Sequence, residues 1–131
     1  MPHIIIEHSA NVADLTDIDA LVLAVHEAAL DDGLPSLDAL RTRAAPRDHY
    51  RIADGDPAYG FVYVTARIGP GREPEAVQRF LNRLIDTVDE VLEPLQADHP
   101  VAISAEVQLI DPAMRINRNH IRTHLARGDR T

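Results

Sequence analysis

The pattern that most restricts this chain is one of order: a short apolar run, an amphipathic helix and a second short run, repeated about 60 residues further on. Residues 3–8 form a β-branched run compatible with a strand buried on both faces. They lead into a segment rich in capping residues. From about Asp17, the positions Ile18, Leu21, Val22, Val25, Ala28 and Ala29 recur at three- and four-residue spacing, which predicts an amphipathic helix, and Asp31, Asp32 and Gly33 stop it. Residues 37–44 offer a second strand, with Leu40, Thr42 and Ala44 on one face and Arg41 and Arg43 on the other. Turn chemistry centred on Asp54-Gly55 then predicts a hairpin or loop. The second half follows the same order. Residues 59–68 read as a strand, residues 73–95 as a long helix, and residues 101–110 as a strand. From Asp111 the chain is a polar, arginine-rich arm.

A right-handed crossover makes the two strands of each unit parallel. Pairing the units side by side yields an α+β fold: a four-stranded mixed sheet with two helices on one face. The chain is expected to be one domain, 1–131, with pseudo-repeats at about 2–57 and 58–110 and an arm at 111–131. The uncovered sheet face is expected to carry Ile4, Ile6, Val62, Val64, Ile103 or their strand neighbours. An apolar patch of that size is rare on a monomer, so closed oligomeric symmetry is expected to cover it. The halves match in architecture but not in chemistry. At the repeat offset Pro2 stands opposite Val62 and Arg72 opposite Val12, so a complete constellation has to draw on both halves.

Composition removes several kinds of chemistry. The chain has 131 residues, 45% of them hydrophobic, enough for a real core. No apolar run reaches the roughly 18 residues of a membrane span, and no basic region precedes the first apolar stretch as in a signal peptide, so a cytoplasmic location and no membrane partner are expected. There is no cysteine, which excludes disulfides and thiolate chemistry. All thirteen basic residues are arginine, so a Schiff-base lysine and a lysine-type phosphate loop are excluded. A net charge of −8 argues against nucleic acid as a partner. A chain this acidic can handle an anion only by concentrating arginines locally.

The residue that invites chemistry is Pro2. Once Met1 is removed, which a small second residue favours, Pro2 carries a free secondary amine. An α-amino group titrates near pH ~7.7–8. Burial or a neighbouring cation lowers this further, so the amine can take and return a proton at neutral pH. Other features read as structural. His120 and His124 stand four apart, as two metal ligands on a helix would, but no third ligand accompanies them, and no metal is expected. Arg115, Arg118, Arg122, Arg127 and Arg130 lack interleaved aromatics and read as subunit contacts or disorder. His3 and Glu7 alternate along the first strand as possible neighbours of the site.

Several stretches together resemble the tautomerase superfamily and, within it, the 5-carboxymethyl-2-hydroxymuconate isomerase family. They are ProHisIleIleIleGluHisSer at the start, LeuArgThrArg in the second strand, AlaAspGlyAspProAlaTyrGlyPheValTyrValThr across the central turn and strand, and IleGlyProGlyArgGluProGlu before the second helix. The resemblance implies a cofactor-independent isomerase of aromatic-compound catabolism, in homoprotocatechuate degradation, that moves a proton along a small anionic dienol. It implies Pro2 as proton-transfer base and Arg41 and Arg72 as carboxylate binders, with Arg43 able to exchange roles with Arg41. It also implies a homotrimer, because short single-unit relatives form hexamers and this chain holds two units. A noncatalytic oligomeric anion-binding protein on the same scaffold is the alternative.

Overall fold

The computed structural model describes residues 2–128. Four strands and three helices follow in the order β1 (His3–Ser9), α1 (Ile18–Asp32), β2 (Arg41–Arg47), β3 (Gly60–Ile68), α2 (Pro74–Leu92), β4 (Val101–Leu109) and α3 (His120–Ala126). The sheet order is β2-β1-β3-β4. β1 runs parallel to β2 and antiparallel to β3, and β3 runs parallel to β4. The starts of β1 and β2 therefore share one end of the sheet with the finishes of β3 and β4. That end also receives the loop entering β2, the loop leaving β3 and the arm leaving β4.

Local chemistry sets the helix limits. The Asp17 carboxylate accepts the Ala20 N–H at 3.2 Å, and Gly33 leaves α1 at φ 89°, a conformation that a side chain disfavours. Pro74 stands in the first turn of α2, where its missing N–H costs nothing. The helix ends at Leu92, and residues 93–95 tighten into a 3₁₀ turn around Pro94, short of the α-helix expected to Leu95.

β2 departs from its expected limits of 37–44. Residues ahead of Arg41 are held in a turn, with the Ala39 and Leu40 N–H groups both donating to the Ser36 carbonyl, and the strand runs on to Arg47 instead. Pro46 fits because β2 is an edge strand with only β1 beside it. The Asp54-Gly55 stretch forms a loop and not a hairpin, since β1 lies between β2 and β3. Gly55 takes φ 88° there.

The core lies between the sheet and the two long helices. Ile4 and Ile6 of β1 and Val64 and Ala66 of β3 pack with Leu21 and Val25 of α1 and Phe80, Leu84 and Val88 of α2, all at 0% exposure. Two expectations are corrected by this. β1 is buried on one face only, with His3, Ile5 and Glu7 half-exposed on the other. Ile4, Ile6, Val62 and Val64 face the helices and not water, and Ile103 packs against the same core. The uncovered face is mixed in polarity, with Ile5, Phe61 and Tyr63 among His3, Glu7, Arg67, Ser104 and Glu106. It is not a continuous apolar patch.

Asp32 takes both oxygens of its carboxylate to Arg79, at 3.1 and 3.3 Å, and Asp31 pairs with Arg83 at 2.8 Å, so the two long helices are tied along their outer sides. Among the described residues, no helix is long and apolar enough to cross a membrane.

Candidate active site

Strand register brings cations together at the amino-terminal end of β1. His3 lies directly between Arg41 on β2 and Arg67 on β3, and one step on, Ile5 has Arg43 and Thr65 as its partners. Residues opposite one another in a sheet point to the same face, so His3, Arg41, Arg43 and Arg67 share the uncovered side. They line a cleft of about 570 Å³ whose remaining wall is the arm, with Met114, Arg115, Ile116 and Arg118.

The arm reaches this position because it is latched to the loop that enters β2. The Asn119 side-chain oxygen caps the start of α3, accepting the Ile121 and Arg122 N–H groups at 3.0 and 3.2 Å. Its amide nitrogen donates to the Asp38 carbonyl at 2.9 Å and to the Asp38 carboxylate at 3.2 Å. Arg122 Nε donates to that carboxylate at 2.6 Å. This hydrogen bond from Arg122 is the chief cause holding the Asp38 carboxyl below its ordinary pKa. Arg115 and Arg118 are therefore cleft residues. They are ordered, so the expectation of disorder does not describe them, and Arg130 lies outside the described residues.

The electrostatics of the cleft are one-sided. Five arginines line it together with His3, and no aspartate or glutamate does. Elsewhere among the described residues Arg47, Arg79, Arg83 and Arg122 pair with acids, but none of the five cleft arginines reaches a carboxylate. Arg43 Nη1 lies 3.1 Å from His3 Nδ1. A guanidinium can only donate, so Nδ1 accepts and a neutral His3 carries its proton on Nε2. Burial, followed by the charges of Arg43 and Arg41, lowers the His3 pKa below 6.5.

Of the residues singled out in the sequence, Arg41 and Arg43 stand together in the cleft. Pro2 is buried beside it without lining it, and its carbonyl accepts the Arg41 N–H at 3.3 Å. Met1, whose removal would free the Pro2 amine, lies outside the described residues. Arg72 sits at the same end of the sheet but points elsewhere, donating to the carbonyls of Leu34 at 3.3 Å and Gly69 at 3.5 Å. Glu7 is ion-paired with Arg47 at 3.0 Å. No three His, Cys, Asp or Glu side chains gather as a metal site among the described residues. Arg67 also lines the cleft, with little in the local sequence to mark it. Its trace was the alternation of β3, which puts Phe61, Tyr63, Thr65 and Arg67 on the face opposite the core.

The arginine-lined cleft stands at the start of a strand that directly follows a proline, and the chain has known relatives. The chain is 28% identical over 121 residues to the 5-carboxymethyl-2-hydroxymuconate Delta-isomerase of Escherichia coli, covering 92% of this chain and 96% of that one. A crystal structure of a 5-carboxymethyl-2-hydroxymuconate delta-isomerase superposes with a TM-score of 0.85 at 25% identity, over 95% of this chain and 93% of that one. A fused 4-OT solved as a symmetric trimer shares the fold alone, with a TM-score of 0.64 at 15% identity over 88% and 93% of the two chains. The model of the 5-carboxymethyl-2-hydroxymuconate isomerase family matches residues 2–125, so the chain belongs to that family and is a cofactor-independent isomerase on the tautomerase fold.

Proposed function

We propose that the protein catalyses a 1,3-proton shift on 5-carboxymethyl-2-hydroxymuconate, with the amine of Pro2 as both base and acid. The observation that carries this reading is the cleft itself: guanidiniums without carboxylates, built around the strand that directly follows Pro2. The amine removes the hydroxyl proton of the dienol, negative charge spreads through the conjugated system, and the same proton returns at carbon. Nothing is oxidised or reduced, and no co-reactant is consumed. Arg41 and Arg43 offer planar, permanently charged forks to the carboxylates of the substrate. Their charge stabilises the developing dienolate. Their fields also favour the neutral amine, which is the form that can act as base.

Arg72 enters the site in this reading only when its side chain leaves the Leu34 and Gly69 carbonyls, or across a subunit boundary. The assembly is a homotrimer. What supports it is the shared fold with a fused 4-OT that forms a symmetric trimer and the presence of two β-α-β units in one chain. Only the first unit begins with Pro2, so the trimer holds three catalytic sites.

The test is a single-residue extension before Pro2, which turns the amine into an amide while leaving the cleft intact. Turnover, followed as loss of dienol absorbance, should vanish in the extended protein and persist in one whose mass shows that Met1 is absent. Full activity in the extended protein sinks the mechanism.

A further inference from the structure

We infer that the arm after β4 is a specificity element: Arg115 and Arg118 bind a third carboxylate of the substrate, and Asp38 is the positioning residue that keeps them in the cleft. The inference rests on the cleft being the substrate site and adds to that reading which residues select a tri-anion over a di-anion.

Three observations carry it. The cleft is built from two separate sources of charge. The sheet supplies Arg41, Arg43 and Arg67, and the arm supplies Arg115 and Arg118 from the facing wall. None of these five is neutralised by a carboxylate among the described residues, although the chain holds 21 acidic residues. Unpaired cations converging on one cavity repel each other, and an anion with several carboxylates relieves that repulsion at each of them. The arm, finally, is held by a specific device. Asp38 takes hydrogen bonds from Asn119 and Arg122, residues more than eighty positions away, and Asp38 opens the segment leading into β2, the strand that carries Arg41 and Arg43. One carboxylate thus sets the arm wall against the sheet wall.

The geometry divides the work. A di-anion is satisfied by the sheet arginines. A third carboxylate placed on a side branch, as the carboxymethyl group is, needs donors from the facing wall, which only the arm provides. A carboxylate bound by a guanidinium fork is charge-assisted, so removing one such arginine should weaken tri-anion binding by roughly tenfold to a hundredfold.

The experiment is calorimetric binding of two planar, unreactive probes, benzene-1,3,5-tricarboxylate and benzene-1,3-dicarboxylate, to the full-length protein. Wild type, Arg115→Ala, Arg118→Ala and Asp38→Ala are compared, with circular dichroism to establish that each is folded. The expected result is a tri-anion preference in wild type that falls in both arginine variants and falls at least as far in Asp38→Ala, while di-anion affinity changes far less. A general loss of structure would lower both affinities together, so the ratio separates positioning from folding. Equal affinity for the two probes in wild type, no binding of either, or variants that keep the preference would overturn the inference. Neither probe needs proton transfer. A protein that keeps this arginine-dependent preference yet remains fully active when extended before Pro2 refutes the catalytic reading and leaves this one standing.

Discussion

Anion binding to the cleft should be coupled to protonation of His3, and the contents of the cleft bound the size of the coupling. His3 is the one cleft-lining side chain among the described residues of a type whose ordinary pKa lies near neutrality. In the free protein, burial and then Arg43 and Arg41 hold its pKa below 6.5 and favour the neutral ring. A bound carboxylate offsets the field of the arginines and raises that pKa. One imidazole takes up at most one proton, so its contribution to tri-anion affinity is at most about tenfold for each pH unit lowered, within the window between the free and bound pKa values. Calorimetry between about pH 6 and 8, in buffers of different protonation heat, measures the proton uptake directly. His3→Gln should remove the part due to the ring. Uptake that is unchanged in His3→Gln, or proton release on binding, would refute the reasoning. The same shift has a stability consequence of definite sign. Because the folded-state pKa is the lower one, acidification below 6.5 protonates the unfolded chain first. Wild type should therefore lose stability relative to His3→Gln as pH falls from 6.5 toward the folded-state pKa.

Two further outcomes concern the scaffold and the assembly. Ser9 is fully buried, and its hydroxyl accepts the Phe61 N–H at 2.9 Å; Ser9→Ala leaves that amide unpaired and should cost about 1–3 kcal/mol in urea unfolding, whereas an unchanged midpoint would show the bond to be dispensable. Light scattering over a range of concentrations should give the mass of three chains, and a fully active monomer or dimer would defeat the trimer.

Elements whose causes are local were legible in the residues alone. α1 begins one residue after Asp17 and ends before Gly33 because a cap, a 3.6-residue apolar period and a left-handed stop all act within one or two turns. Arg41 and Arg43 were legible as a pair because they alternate with Thr42 and Ala44 along one strand. What the residues alone left open depended on distant partners. Alternation shows that β1 and β3 have two faces but not which one the helices cover, and Ile4, Ile6, Val62 and Val64 proved to lie on the covered one. The limits of β2 follow from pairing Arg41–Arg47 with His3–Ser9, a register that no window of residues 37–47 contains. Arg67 joined the site only through its place opposite His3. Arg115 and Arg118 joined it only because Asp38 captures Asn119 and Arg122 across more than eighty residues. A charged residue in a polar arm carries no local mark of what it will face, because its position is set by loop closure and by the partner that holds the chain there.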